Sequence, residues 1–133
     1  MDDISRAPMS AAELVMLASQ ADSSRTCSSC GALRCPGWES MPGSFDRSSL
    51  IRVGSLRDPG RAEPTLEEFH PQGTHRWSAE APIALGHHPY NLCDVWQCGT
   101  CSRVYLRYTE YGGYYEDERV RLVDPGRVTA TDA

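Results

Sequence analysis

Six cysteines stand in two triplets that mirror each other. Cys27, Cys30 and Cys35 follow C-x2-C-x4-C, and Cys93, Cys98 and Cys101 follow C-x4-C-x2-C. A C-x-x-C turn lets two sulfurs reach one ion while backbone amides point towards them, so two such turns complete a tetrahedral site. Cys27, Cys30, Cys98 and Cys101 are therefore the expected metal ligands. The 67 residues between Cys30 and Cys98 far exceed the ~15–20 of a compact zinc site. Everything in that interval must fold as a substructure that returns to its starting point.

Composition makes a staple necessary. Leu, Ile, Val and Phe contribute 22 of the 133 residues, below the roughly 20% at which a highly charged chain is read as disordered. A net charge of −5 and eleven aromatic residues favour a folded but core-poor chain. One Zn²⁺ adds about 10–16 kcal/mol of apparent binding free energy, against a whole-domain stability of about 5–15 kcal/mol. The expected organisation is a single zinc-binding domain over 1–133, with 1–8 and 126–133 flexible and 36–89 a long insertion between the two cysteine turns. Four thiolates leave a closed site with no position for substrate water, which points to a structural ion. Iron fits the same sulfurs, but no redox signature surrounds them.

Several classes are excluded. All thirteen basic charges are arginine and there is no lysine, so Schiff-base catalysis and a P-loop are out of reach. No run approaches the ~18 apolar residues of a membrane span. The acidic start lacks a signal peptide's basic region, so the cytosol is the expected location. Thiols stay reduced there, and paired cysteines more often hold metal than form disulfides. The acidic balance argues against nucleic acid as partner.

The N-terminal helix is the clearest local element. Ser10 and Glu13 form a capping box, flanked by Met9 and Leu14 as a hydrophobic staple. Leu14, Leu17, Ala18 and Ala21 follow the stripe of an amphipathic helix, which the Asp22-Ser23-Ser24 cluster should end. Residues 27–49 read as loop, Leu50–Val53 as a short strand ending at Gly54, and Asp58-Pro59-Gly60-Arg61 as a turn. Thr65 and Glu68 offer a second capping box, opening one or two helical turns that Pro71 stops. Residues 72–89 show little regular structure. Val104, Leu106 and Tyr108 alternate, Gly112-Gly113 interrupts, and Val120 and Leu122 alternate again, which predicts a β-hairpin. A three-residue link with a glycine bulge sets Val104 opposite Leu122 and Leu106 opposite Val120, keeping the apolar residues on one face.

The two C-x-x-C turns, with Gly31 after the first and the hairpin strand after the second, resemble the knuckles of zinc-ribbon and rubredoxin-type proteins. The resemblance covers some 35 residues and implies two turns facing each other across one metal. Ser102, where the second turn would carry glycine, departs from it. The resulting expectation is an α+β fold, with the N-terminal helix packed on a small antiparallel sheet, a ribbon-like four-cysteine site and a C-terminal β-hairpin.

Cys35 and Cys93 remain. They read as buried small hydrophobes, as substitute ligands, as a second site with His87 and His88, or as a redox pair. Cys93 beside His88 is the one sequence-near arrangement for nucleophilic catalysis, making a thiol- or metal-dependent enzyme the alternative function. The zinc-deaminase signature fails: His75 is followed by Arg76-Trp77, and Gln97 precedes Cys98. The carboxylate groups at Glu67-Glu68 and Glu116-Asp117-Glu118 read as solvated faces. Tyr105, Tyr108, Tyr111, Tyr114 and Tyr115, interleaved with arginines, form either a protein-contact face or a stacking platform for bases. The first of these makes the chain a zinc-binding protein-interaction module; the second, a nucleic-acid-associated zinc ribbon.

Overall fold

The computed structural model describes residues 8–21, 26–60 and 63–130. Asp22-Ser23-Ser24, Arg61, and the terminal stretches 1–7 and 131–133 lie outside the described residues.

The architecture is mixed α+β. Helix α1 (Ala11–Ala18) precedes strands β1 (Glu39–Ser40), β2 (Leu50–Ser55), β3 (Ile83–Leu85), β4 (Asp94–Cys98), β5 (Val104–Tyr111), β6 (Glu116–Leu122) and β7 (Val128–Ala130). Five strands form an antiparallel sheet in the order β1-β6-β5-β4-β2, and β3 pairs with β7 in a small parallel sheet. The capping box forms as predicted: Ser10 Oγ accepts the Glu13 N–H, and Glu13 Oε1 accepts the Ser10 N–H. Leu14 and Ala18 bury the helix's apolar stripe. Met9 donates its N–H to the Ser55 carbonyl at 2.9 Å, tying the chain before α1 to β2.

The large sheet is a middle layer, buried on both faces. Val95, Val104 and Leu106 point into one cluster with Leu14, Trp38, Leu56, Ile83, Tyr90 and Cys93. Leu50, Cys98, Tyr105 and Val120 point the other way, into a cluster with Cys27, Cys30, Leu33, Cys35 and Met41. The cysteine turns thus belong to the layer that covers the second face.

That two-sided burial corrects the hairpin register. Observed pairs are Tyr105 with Leu122, Leu106 with Arg121, Arg107 with Val120 and Tyr111 with Glu116. The link is the four residues 112–115, one more than predicted. The Gly112 N–H donates to the Tyr115 carbonyl at 2.8 Å. A Cβ on Gly112 would fall 2.0 Å from the Tyr115 ring, so a larger residue there would displace that exposed ring. The prediction assumed one apolar face, but Val104 and Val120 serve opposite faces, and Arg121 takes a fully buried place.

Two further expectations are corrected. Residues 63–70 hold no helix: Thr65 Oγ1 accepts the Glu67 N–H in a local turn, while Glu68 turns to His70 and Arg76. Strand β2 runs past Val53 to Ser55 through an irregularity between Arg52 and Gly54. The stretch 72–89 has little regular structure, as expected, beyond the three residues of β3, which pair with β7.

Candidate metal centre

Two tight turns deliver the four sulfurs. In the first, Gly31 follows Cys30 so closely that a Cβ would stand 2.5 Å from the Cys27 carbonyl oxygen. The second grows from the end of β4. Cys98 N–H donates to the Arg103 carbonyl at 2.8 Å, Ser102 N–H to the Cys98 carbonyl at 3.0 Å, and Thr100 N–H to Cys98 Sγ at 3.4 Å. Ser102 follows Cys101 directly, and its φ of 71° is the left-handed conformation that glycine adopts without cost.

The turns face each other. Cys27 Sγ lies 3.8 Å from Cys98 Sγ, Cys30 Sγ lies 3.5 Å from Cys101 Sγ, and all four sulfurs fall within 4.8 Å of one another. Ser29 Oγ and Thr100 Oγ1 share a hydrogen bond of 2.7 Å between the two turns. Each turn is anchored to the sheet: Tyr105 Oη donates to the Leu33 carbonyl at 3.2 Å, and Gly99 N–H to the Ser49 carbonyl at 3.1 Å. The sulfurs are too far apart for disulfides, whose bond is about 2.05 Å. A tetrahedral ion with metal–sulfur bonds of about 2.3 Å places its sulfurs about 3.8 Å apart, which the observed spacings approach. The soft donor set and this spacing therefore fit one thiophilic cation.

Burial divides the ligands. Cys27, Cys30 and Cys98 are buried, while Cys101 is part-exposed. The backbone N–H of Cys30, with a smaller share from Ser29, holds the Cys27 thiol down to about 6 against the effect of burial. Burial pushes the Cys30 thiol up to about 12 and raises that of Cys101. Arg103 Nη1 lies 3.8 Å from Cys30 Sγ and 3.7 Å from Cys101 Sγ, within reach of N–H···S bonding to one sulfur of each turn.

The other sequence candidates are elsewhere. Cys35 is buried beneath the same cluster but outside the four-sulfur group, and burial pushes its thiol up to about 12. Cys93 is in the opposite core cluster, where its Sγ donates to the Pro89 carbonyl at 3.3 Å. Burial raises its thiol well above the ordinary value. In both, burial disfavours the thiolate form that nucleophilic chemistry uses. His87 packs its ring 5.2 Å from Phe69. His88 Nδ1 is buried without a hydrogen-bond partner, and burial, then Arg76, lowers its pKa. Among the described residues the four cysteines are the one group with metal-ligating geometry, and His87, His88, Cys35 and Cys93 are not drawn into it.

Two features escaped sequence reading. Arg103 is in sequence one of the arginines interleaved with the hairpin tyrosines, yet its place two residues after Cys101 puts it beside the sulfurs. The carboxylates read as solvated are largely paired: Glu68 with His70 and Arg76, Asp117 with Ser40 and Arg119, Glu118 with Arg47 and Arg107. Of the five hairpin tyrosines, Tyr105 and Tyr108 are core residues, and Tyr111, Tyr114 and Tyr115 are exposed.

Fold and site together define a class, a small α+β protein with a cluster of four cysteines suited to a metal ion and, among the described residues, no helix long and apolar enough to cross a membrane. No family model, curated protein or solved structure matches the chain.

Proposed function

We propose that Cys27, Cys30, Cys98 and Cys101 hold one Zn²⁺ as a closed structural centre, and that the protein is an interaction module of a reducing, cytosolic compartment. The observation that carries this reading is the meeting of four sulfurs within 4.8 Å from turns 67 residues apart in sequence. Such an ion would tie the start of the chain to the end of β4 and hold one covering layer of the sheet in place. Four thiolates around zinc carry a formal charge of −2, which Arg103 partly offsets. With no ligand position left for water, the ion supplies structure rather than catalysis. The contact surface for a protein partner is the hairpin tip, where Tyr111, Tyr114 and Tyr115 present aromatic area to solvent.

Native mass spectrometry with elemental metal analysis tests the centre. The expected result is one zinc per chain, lost in Cys98→Ser and retained in Cys93→Ser. Metal-free folded protein, or two ions per chain, would overturn it.

A further inference from the structure

Arg103 brings a cationic N–H group to the sulfurs, with Nη1 3.8 Å from Cys30 Sγ and 3.7 Å from Cys101 Sγ. It reaches Cys30 from the first turn and Cys101 from the second, spanning one edge of the sulfur tetrahedron. Cys101 is the one part-exposed member of the four. An attacking reagent therefore meets the centre at the sulfur over which the guanidinium lies. A hydrogen bond to a thiolate, reinforced by positive charge, withdraws electron density from sulfur and lowers its reactivity towards electrophiles.

We infer that Arg103 is the protecting group of the metal centre: it damps the nucleophilicity of the Cys30 and Cys101 thiolates and slows attack by electrophiles at Cys101, the part-exposed corner of the site. This rests on the zinc reading given above. It concerns how the centre resists attack, which ligand geometry alone leaves open. Arg103 is a positioning and charge-balancing residue here, and it performs no chemistry of its own.

The test uses the full chain loaded with zinc and a neutral electrophile, N-ethylmaleimide, so that charge attraction of the reagent does not enter. A thiolate sulfur adds to the maleimide double bond, the adjacent carbon takes a proton from water, and the zinc loses one ligand. Zinc release is followed with a chromogenic chelator, and the alkylated cysteine is located by peptide mass spectrometry. Arg103→Ala should release zinc roughly three- to fivefold faster than the parent, the range of an exposed charge interaction, with Cys101 modified first. Arg103→Lys should recover most of the protection. Arg57→Ala, an exposed arginine paired with Asp94 at the end of β4 opposite Cys98, should match the parent. Arg103→Gln, which keeps a donor without charge, covers the case in which the alanine variant folds poorly.

Equal release rates in the parent and the Arg103 variants, with zinc bound in both, would overturn the protecting role and leave the metal reading intact. First modification at a buried cysteine would overturn it as well. A parent that binds no zinc would refute the metal reading itself.

Discussion

Arg121 is fully buried in the second hairpin strand, with 0% exposure, and its partners among the described residues are carbonyls and a hydroxyl rather than a carboxylate. Its Nε donates to the Pro36 carbonyl at 3.0 Å, Nη1 to Tyr90 Oη at 2.5 Å, and Nη2 to the Ala81 and Ala79 carbonyls at 2.8 and 3.2 Å. One side chain thus fastens three separate stretches of irregular chain to β6. In Arg121→Met the three carbonyls lose their donor, while Tyr90 Oη still accepts from Trp38 Nε1 at 3.2 Å. Each acceptor left unsatisfied costs about 1–3 kcal/mol, a gross loss of roughly 3–9 kcal/mol. The variant recovers part of this because the guanidinium no longer has to be desolvated, so the net loss should be about 2–4 kcal/mol. That is a large share of a stability of about 5–15 kcal/mol. Urea unfolding at saturating zinc, followed by tryptophan fluorescence, measures it, because Trp38 packs against Tyr90. Arg121→Lys should lose nearly as much, since one ammonium cannot span acceptors arranged for a planar fork. A loss below about 1 kcal/mol in Arg121→Met, near the range of surface substitutions, would refute the reasoning.

Other outcomes follow from the same structure. Stripping the metal with a strong chelator should unfold the chain, because the ion's contribution of about 10–16 kcal/mol matches or exceeds the stability of a core this poor in aliphatic residues; an unchanged thermal melt with metal loss verified would refute it. Ser102→Gly should raise stability by about 0.5–1 kcal/mol by relieving a left-handed φ of 71°, whereas Gly31→Ala should weaken metal retention, because the new Cβ meets the Cys27 carbonyl oxygen at 2.5 Å; thermal melts and chelator competition check the pair. Burial acts to raise the Glu118 carboxyl, but Arg107 and Arg47 overcome it and hold the group below its usual range. A carboxylate depressed in the folded state contributes stability above the unfolded value of about 4.3, and that contribution is lost as pH falls through the lower folded value. The stability difference between the parent and Glu118→Gln should therefore be constant above about pH 5 and shrink below about pH 4, as denaturation at stepped pH would show; a difference independent of pH would count against the ion pairs.

Arg121 also marks where sequence patterning stops being informative. The alternation of Val104, Leu106 and Tyr108 was legible because all three serve one core face, and so was α1, whose capping box and apolar stripe are local. The four ligand positions were legible for a similar reason: C-x-x-C spacing is a local constraint whose meaning does not depend on the intervening chain. The register of the hairpin was not legible. Placing polar residues outside requires knowing how many faces of a sheet are covered, and here the second face is covered by the cysteine turns themselves. An arginine then becomes a core residue, because Pro36, Ala79 and Ala81 turn their carbonyls towards it from loops whose paths no periodicity encodes. The same holds for Arg103, whose significance appears once the first turn has returned to the second. The unpredicted features share one cause. Loops that carry few aliphatic side chains are tied down by arginine, through backbone carbonyls at Arg121, carboxylates at Arg76 and Arg47, and sulfur at Arg103. A planar, permanently charged fork with five donors suits that work better than the single ammonium of lysine, which gives the arginine of this lysine-free chain a structural use that its composition did not reveal.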